Sequence, residues 1–192
     1  MPKHNLFLPA VILCLICLAT TGLVALTYSI TLDARNEQAV ITANANRKLL
    51  FPEAADFAEI ENIDPSSFAG LVDAYQVLDA GGNAQGYLVT AEYRGYGGDV
   101  QVLIAYGTDG KILRLKVLSN DETPGLGKKV ESDSFLSQFV GQGAGQKFSI
   151  KPQESGSYII DAVSGATISS RAVTEAANIA TGFIEQIISE VK

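Results

Sequence analysis

A charge-free run near the N-terminus constrains this chain more than any other feature. Residues 5–32 contain no Asp, Glu, Lys or Arg, and Lys3 is the one such residue before them. The inner stretch 6–30 would form a helix about 37 Å long, which exceeds the roughly 30 Å hydrocarbon core of a bilayer. A cleavable signal peptide has a shorter apolar region, and no convincing A-x-A site follows this one. Residues 1–32 are therefore predicted to be an uncleaved transmembrane anchor.

The charges that flank this run predict its orientation. Lys3 and His4 precede it, whereas Asp33 and Arg35 follow it. The positive-inside rule places the N-terminus in the cytoplasm. Residues 33–192 are then expected on the periplasmic or outer face of the inner (cytoplasmic) membrane, behind a single-pass helix.

Composition excludes several functions. The formal net charge is -7, which argues against a nucleic-acid partner because such proteins need clustered positive charge. His4 is the only histidine, so His-based zinc sites and Ser-His or Cys-His pairs are excluded for the rest of the chain. Cys14 and Cys17 both lie in the span, where small apolar packing residues are expected. No metal site and no catalytic residue is predicted.

After the anchor, the pattern changes twice. Residues 33–50 lack Pro and Gly and predict a helical stalk that ends at Phe51-Pro52. Residues 53–70 are acidic and predicted to be irregular, with turns at Pro65 and Ser66-Ser67. Residues 71–192 are predicted to form the main soluble domain.

Alternating apolar residues predict four strands in that domain, at 72–78, 86–93, 100–106 and 112–118. The connections between them are short and glycine-rich, so an antiparallel meander is expected. Residues 134–140 predict a short helix, and 147–150 and 158–161 predict edge or return strands. Apolar residues from Val173 to Val191 recur at helical spacing, which predicts an amphipathic helix packed across the sheet. The predicted fold class is α+β.

Two segments could carry chemistry. Residues 161–170, DAVSGATISS, place small and hydroxyl residues before that helix, where free N–H groups and the helix dipole favour an anion. The alternative is that Ser164, Thr167 or Ser169 only caps the helix. Residues 122–127, ETPGLG, place Pro124 and Gly125 as a type II turn requires, and the alternative there is an ordinary surface turn.

These segments resemble known motifs. Ser164-Gly165-Ala166-Thr167 looks like the S(T)GAT flavinylation motif of the FMN-binding domain family, residues 122–127 match its ETPGLG segment, and residues 95–98, GYGG, resemble its upstream glycine turn. Their order behind one N-terminal span is similar to that in the G subunits of Rnf (Rsx) electron transport complexes. The pattern differs at Asn120, where many relatives carry His.

The resemblance implies a covalent cofactor. FMN would be attached through a phosphoester to the side-chain oxygen of Thr167, installed by a separate flavin transferase. Leu126 is expected to pack on the flavin ring, and Glu122 to orient its loop or accept a hydrogen bond. The residues expected to bind the cofactor are Gly97, Glu122, Thr123, Gly125, Leu126, Ser164, Gly165, Ala166, Thr167, Ser169 and Ser170.

The resemblance also implies a role. An FMN-binding domain behind a single anchor would relay electrons among the other membrane and peripheral subunits of an ion-pumping ferredoxin:NAD oxidoreductase, without catalysing a reaction alone. Three alternatives remain at this point: the flavin subunit of a sodium-pumping NADH:quinone reductase, a stand-alone tethered flavodomain, and an anchored binding module without a cofactor.

Overall fold

The computed structural model describes residues 7–60, 68–151 and 156–191, and the chain divides into two compact units, Met1–Asn46 and Arg47–Lys192. The flanking residues Lys3 and His4 and the predicted turns at Pro65 and Ser66-Ser67 lie outside the described residues. The domain boundaries placed after residues 32 and 70 stay a prediction.

The first helix, α1, runs from Phe7 to Leu50 and is long and apolar enough to cross a membrane by length and composition. Hydroxyl groups within the span donate to backbone carbonyls of the same helix, as from Thr20 to Ile16 (2.9 Å) and from Thr27 to Leu23 (2.8 Å). Polar groups in lipid need such internal partners. The helix continues through 33–50 without interruption and ends two residues before Pro52, where helical geometry is disfavoured.

The second unit contains a five-stranded antiparallel meander. Its strands are β1 (Asp56–Glu59), β2 (Leu71–Leu78), β3 (Ala84–Arg94), β4 (Asp99–Gly107) and β5 (Ile112–Ser119), each paired with the next in sequence. The four predicted strands and their antiparallel order are confirmed. The interpretation of 53–70 as irregular is wrong at 56–59, because β1 extends the edge of the sheet along β2. A strand of four residues is too short to show an alternating pattern in the sequence.

Alternate residues of the central strands enter two separate cores. Val89 and Ala91 of β3 and Ile104 and Tyr106 of β4 are fully buried on one face, in the core that includes the C-terminal helix. Leu88, Leu103 and Ala105 point to the opposite face and pack with Leu50 and Ala54, at the end of α1 and just beyond it. Both faces of the sheet are covered, since successive side chains of a strand point in opposite directions.

The last helix, α3, runs from Thr167 to Val191 and confirms the predicted amphipathic helix. Its buried stripe comprises Ala172, Val173, Ala176, Ala177, Ala180, Phe183 and Ile184. The predicted helix at 134–140 is observed as α2 (Asp133–Leu136) followed by a 3₁₀ turn at Ser137–Phe139. A preceding 3₁₀ turn covers Gly127–Glu131.

Two short strands correct the sequence analysis. β6 (Lys147–Ser149) and β7 (Ser157–Ile159) pair with each other in parallel, in a two-stranded sheet separate from the meander. They are therefore not edge or return strands of the main sheet. Asn178 of α3 holds β6 in place, because its side chain accepts a hydrogen bond from Phe148 N–H (2.8 Å) and donates one to Phe148 C=O (3.0 Å). Such a side-chain contact between distant elements leaves no periodic signal in a sequence.

Candidate functional site

Three separate loop regions meet at one cavity of about 440 Å³ in the second unit. The first is the β3–β4 loop, the second is the segment after β5, and the third is the start of α3. The cavity is lined by Tyr96, Glu122, Thr123, Leu126, Gly127, Gly165, Ala166, Thr167, Ile168 and Ser169. The meander brings the first two regions to the same end of the sheet, and α3 begins beside them.

The start of α3 separates exposed from buried hydroxyl groups. Thr167, its first residue, is exposed and lines the cavity. Ser169 and Ser170 are buried, with 2% and 0% of their surface exposed. The Ser170 hydroxyl accepts a hydrogen bond from Val163 N–H (3.0 Å), which closes the loop before the helix. The first helical turn therefore presents the Thr167 side chain to the cavity and turns those of Ser169 and Ser170 inward.

A buried carboxylate joins the three regions. Glu122 is 2% exposed. Its Oε1 accepts hydrogen bonds from the backbone N–H groups of Tyr96 (2.7 Å) and Gly97 (3.2 Å), and its Oε2 accepts one from the Ser169 hydroxyl (2.6 Å). The β3–β4 loop, the segment after β5 and the first turn of α3 thus share one acceptor group.

Close packing around this carboxylate requires glycine. A Cβ added at Gly97 would lie 1.9 Å from the Asp121 carbonyl oxygen, and one added at Gly127 would lie 2.7 Å from the Glu122 Oε2. Neither position has room for a side chain unless its neighbours move. The glycines of the GYGG and ETPGLG segments therefore let the backbone approach the Glu122 region.

The segment after β5 forms the predicted turn. Leu126 N–H donates to Thr123 C=O (3.2 Å), and Gly125 has a φ of 76°, which suits position i+2 of a type II turn. Leu126 remains 49% exposed at the cavity. Its Cδ2 lies 3.5 Å from the position that a Cβ on Gly165 would take, so this turn contacts the loop before α3.

Most of the predicted binding residues line the cavity, but four do not. Ser164 and Gly125 are exposed beside it, Gly97 contributes its N–H to Glu122, and Ser170 points into the protein. Two further side chains line the cavity that the sequence motifs did not predict, those of Tyr96 and Ile168, which are 71% and 47% exposed. An aromatic residue between glycines in the GYGG turn was the available signal for Tyr96.

Asn120 does not line the cavity but contacts residues of the segment that does. Its Oδ1 accepts a hydrogen bond from Glu122 N–H (3.2 Å), and its Nδ2 donates to the Glu131 carboxylate. Asn120 therefore connects the segment after β5 to the following 3₁₀ turn. The same segment carries two exposed cations, Lys128 and Lys129, and Arg171 is exposed on the first turn of α3. Within the described residues, no group of three His, Cys, Asp or Glu side chains could hold a metal ion.

A larger cavity of about 530 Å³ lies elsewhere in the second unit, between the end of α1, β5 and the α2 region. Its lining is mainly aliphatic, with Arg114, Lys116, Glu131, Asp133 and Ser137 as polar members. It contains none of the residues of the three motifs. The smaller cavity is the candidate functional site, because hydrogen bonds to the buried Glu122 connect three distant parts of the chain there.

The chain is similar to a known family of domains. The family model described as FMN-binding domain matches residues 95–182, a range that includes all three loop regions. The fold is similar to that of the C subunit of the Na(+)-translocating NADH-quinone reductase from Parabacteroides distasonis. The TM-score is 0.51 at 19% identity, over 69% of this chain and 77% of that one.

Two curated relatives match over most of their length. The G subunit of the proton-translocating ferredoxin:NAD(+) oxidoreductase complex of Clostridium ljungdahlii is 31% identical, over 90% of this chain and 88% of the relative. The G subunit of the Na(+)-translocating ferredoxin:NAD(+) oxidoreductase complex of Acetobacterium woodii is 34% identical, over 80% and 79%. The chain therefore belongs to the family of G subunits of Rnf-type ion-translocating ferredoxin:NAD oxidoreductase complexes.

Proposed function

We propose that this chain is the membrane-anchored flavoprotein subunit of an Rnf-type complex and relays electrons through FMN bound at the three-loop cavity. The observation that carries the proposal is the meeting of the GYGG, ETPGLG and SGAT segments at one cavity, with the exposed Thr167 at the N-terminus of a 25-residue helix. Family membership favours an Rnf-type complex over the flavin subunit of a sodium-pumping NADH:quinone reductase, since the likeness to the latter extends to fold alone.

The cavity fits a flavin in size and in chemistry. Its volume of about 440 Å³ lies within the range of small-molecule sites. Tyr96, Leu126 and Ile168 offer apolar surface for a ring system, and all three are more exposed than large apolar residues of a packed core. The start of α3 offers free N–H groups and the positive end of the helix dipole, which suit a phosphate.

We propose Thr167 as the point of covalent attachment, through a phosphoester to its side-chain oxygen. The Ser169 hydroxyl is buried and donates to Glu122, and the Ser170 hydroxyl is buried against Val163 N–H. Thr167 and Thr123 are the exposed threonines that line the cavity. Of these two, Thr167 lies at the helix N-terminus, where the single negative charge of the phosphodiester linkage would be stabilised electrostatically.

FMN supplies one- and two-electron redox chemistry to the subunit, and the protein contributes position, polarity and exclusion of water. Leu126 and Ile168 line the cavity with apolar side chains. Glu122 and the glycines around it hold the loops close together. The soluble part contains no cysteine, so a cysteine-ligated iron–sulfur cluster does not form within it.

The remaining parts of the proposal concern place and partners. The soluble domain lies on the periplasmic or outer face, a flavin transferase attaches the FMN there, and the other subunits of the complex supply and remove electrons. The chain is then a component of an oxidoreductase and not an enzyme on its own. The membrane helix α1 supports anchoring, and the charges around it support this orientation.

Replacement of Thr167 by Ala tests the attachment site. The covalent flavin should disappear. The free energy of unfolding should fall by no more than about 1 kcal/mol, which is the usual contribution of a residue at a helix N-terminus. Peptide mass spectrometry on protein from its native membrane is the measurement. Thr108→Ala, at an exposed position of the β4–β5 turn, is the matched control that keeps the flavin. If Thr167→Ala still carried covalent FMN, the attachment site would be Thr123 or Ser164. If the mature wild-type protein carried no FMN, an anchored binding module without a cofactor would be favoured.

A further inference from the structure

The Glu122 side chain is a buried carboxylate that forms no ion pair with any residue the structure describes. Its residue is 2% exposed, and the ion pairs found within the described part of the chain do not include it. A buried charge is strongly destabilising unless hydrogen bonds compensate for it. Its three donors, two N–H groups and one hydroxyl, provide that compensation.

The three donors belong to two different loop regions that meet at the cavity. Tyr96 and Gly97 lie in the β3–β4 loop, whereas Ser169 lies in the first turn of α3. Ser169 is separated from Glu122 by 47 positions in the sequence, and Tyr96 by 26. One carboxylate therefore connects two loop regions that the chain itself does not connect locally.

The same contact fixes the position of Thr167. Ser169 follows Thr167 by two residues in α3, so a fixed Ser169 hydroxyl restricts the rotation and shift of the first helical turn. The backbone N–H groups in the β3–β4 loop are restricted in the same way. Gly127 leaves the space this arrangement needs, since a Cβ there would lie 2.7 Å from Oε2 and 2.9 Å from the Ser169 Oγ.

We propose that Glu122 is a positioning residue that holds the cavity in its binding geometry before FMN is attached, and so presents the Thr167 hydroxyl for modification. This inference rests on the proposed function. Glu122 acts through its hydrogen bonds to Tyr96, Gly97 and Ser169 and takes no direct part in electron transfer.

Two substitutions at Glu122 distinguish the effect of its hydrogen bonds from the effect of its negative charge. In Glu122→Gln, the amide oxygen can still accept from both N–H groups, and the amide nitrogen can donate to the Ser169 oxygen. In Glu122→Ala, all three contacts are lost, so two part-buried N–H groups and the buried Ser169 hydroxyl lose their acceptor. Glu185→Ala, at an exposed position of α3, serves as the matched control.

The first measurement does not involve FMN. Hydrogen exchange is followed in the full-length protein in detergent, in a Thr167→Ala background. We expect the amides of Tyr96 and Gly97 to exchange about tenfold faster or more in Glu122→Ala, since they lose a charged acceptor, and to remain protected in Glu122→Gln and Glu185→Ala. Unchanged protection in Glu122→Ala would overturn the proposal.

The second measurement is the amount of FMN on Thr167, determined by mass spectrometry in variants that retain this threonine. We expect about a tenfold or larger loss in Glu122→Ala and at most about a threefold loss in Glu122→Gln. Equal losses in both variants would show that charge and not position matters, and would overturn the proposal. A wild-type protein without FMN would instead refute the proposed function, while the exchange measurement would still test the role of Glu122.

Ser169→Ala keeps the test valid if Glu122→Ala fails to fold. This variant removes the contact to α3 and leaves the two N–H contacts of Glu122 in place. We expect slower attachment of FMN to Thr167, with the protection of Tyr96 and Gly97 retained. Attachment at the wild-type rate would overturn the proposal.

Discussion

At the scale of single residues, the cavity depends on two glycines that lack a side chain and on one buried carboxylate. Gly97 brings the β3–β4 loop against the Asp121 carbonyl, and Gly127 leaves room for the Glu122 carboxylate. Asn120 and Glu122 then complete the hydrogen bonds that hold the loop after β5. Small residues and one buried acceptor together set the distance between the loop regions.

Replacement of Gly97 by Ala should therefore disturb the fold as well as the site. The added Cβ would lie 1.9 Å from the Asp121 carbonyl oxygen, so the loop must move. We expect the free energy of unfolding to fall by about 1–3 kcal/mol, the usual cost of overpacking. Chemical denaturation of the full-length protein in detergent is the measurement. Thr108→Ala, in the exposed β4–β5 turn, is the control, and equal stability of the two variants would contradict the close approach at Gly97.

At the scale of elements, the sheet and α3 are joined by apolar packing with one buried polar contact. Tyr106 of β4 and Thr181 of α3 share a hydrogen bond of 3.1 Å between their hydroxyl groups. Burial raises the pKa of Tyr106 above its ordinary value, and the bond to Thr181 lowers it by a smaller amount. The neutral phenol is thus the form that the folded protein accommodates.

This contact predicts a loss of stability at alkaline pH. Below about pH 10 the phenol is protonated in both the folded and the unfolded chain. Above that value the unfolded chain releases the proton while the folded chain retains it, so the free energy of unfolding decreases as pH rises. We expect Tyr106→Phe to reduce this alkaline decrease, at a cost of about 1 kcal/mol at neutral pH for the unpaired Thr181 hydroxyl.

Urea denaturation at a series of pH values from about 8 to 11 measures this effect. Tyr93→Phe, at a position of β3 that is 42% exposed, is the matched control and should keep the wild-type alkaline slope. If Tyr106→Phe also kept that slope, the buried phenol would not be the titrating group.

At the scale of the whole molecule, the chain combines a membrane helix with a domain that has no disulfide. Cys14 and Cys17 both belong to α1, and the region after the span contains no cysteine. The second unit is stabilised by two cores, one on each face of the sheet. Its stability therefore does not depend on the redox state of the compartment.

The absence of cysteine provides a direct test of orientation. Ser189 is exposed near the end of α3, so Ser189→Cys should introduce one accessible thiol. We expect a membrane-impermeant maleimide added to intact cells, with any outer membrane permeabilised, to label this variant and not the wild type. Labelling only after lysis would place the domain in the cytoplasm and contradict the proposed topology.

Local patterns were sufficient to predict much of this protein. The membrane span follows from an uncharged run long enough to cross the hydrocarbon core. The four strands and the apolar stripe of α3 follow from periodicity, because burial of one face repeats apolar residues at the period of that element. The edge strand β1 and the β6–β7 pair were missed or misplaced. Strands of three or four residues contain no readable period, so their pairing could not be predicted from a local pattern.

The candidate site also has features that the sequence predicts and features that only the folded structure shows. The amino-acid sequence was sufficient to identify the three motifs, the type II turn at Pro124-Gly125 and the hydroxyl-rich start of α3. The folded structure was needed to show that the Ser169 and Ser170 hydroxyls are hydrogen-bonded within the protein while Thr167 is exposed. It was also needed to show that Glu122 forms hydrogen bonds with both the β3–β4 loop and the start of α3. The reason is physical: a motif specifies backbone conformation over a few residues, whereas burial and hydrogen-bond partners depend on segments that folding brings together from across the chain.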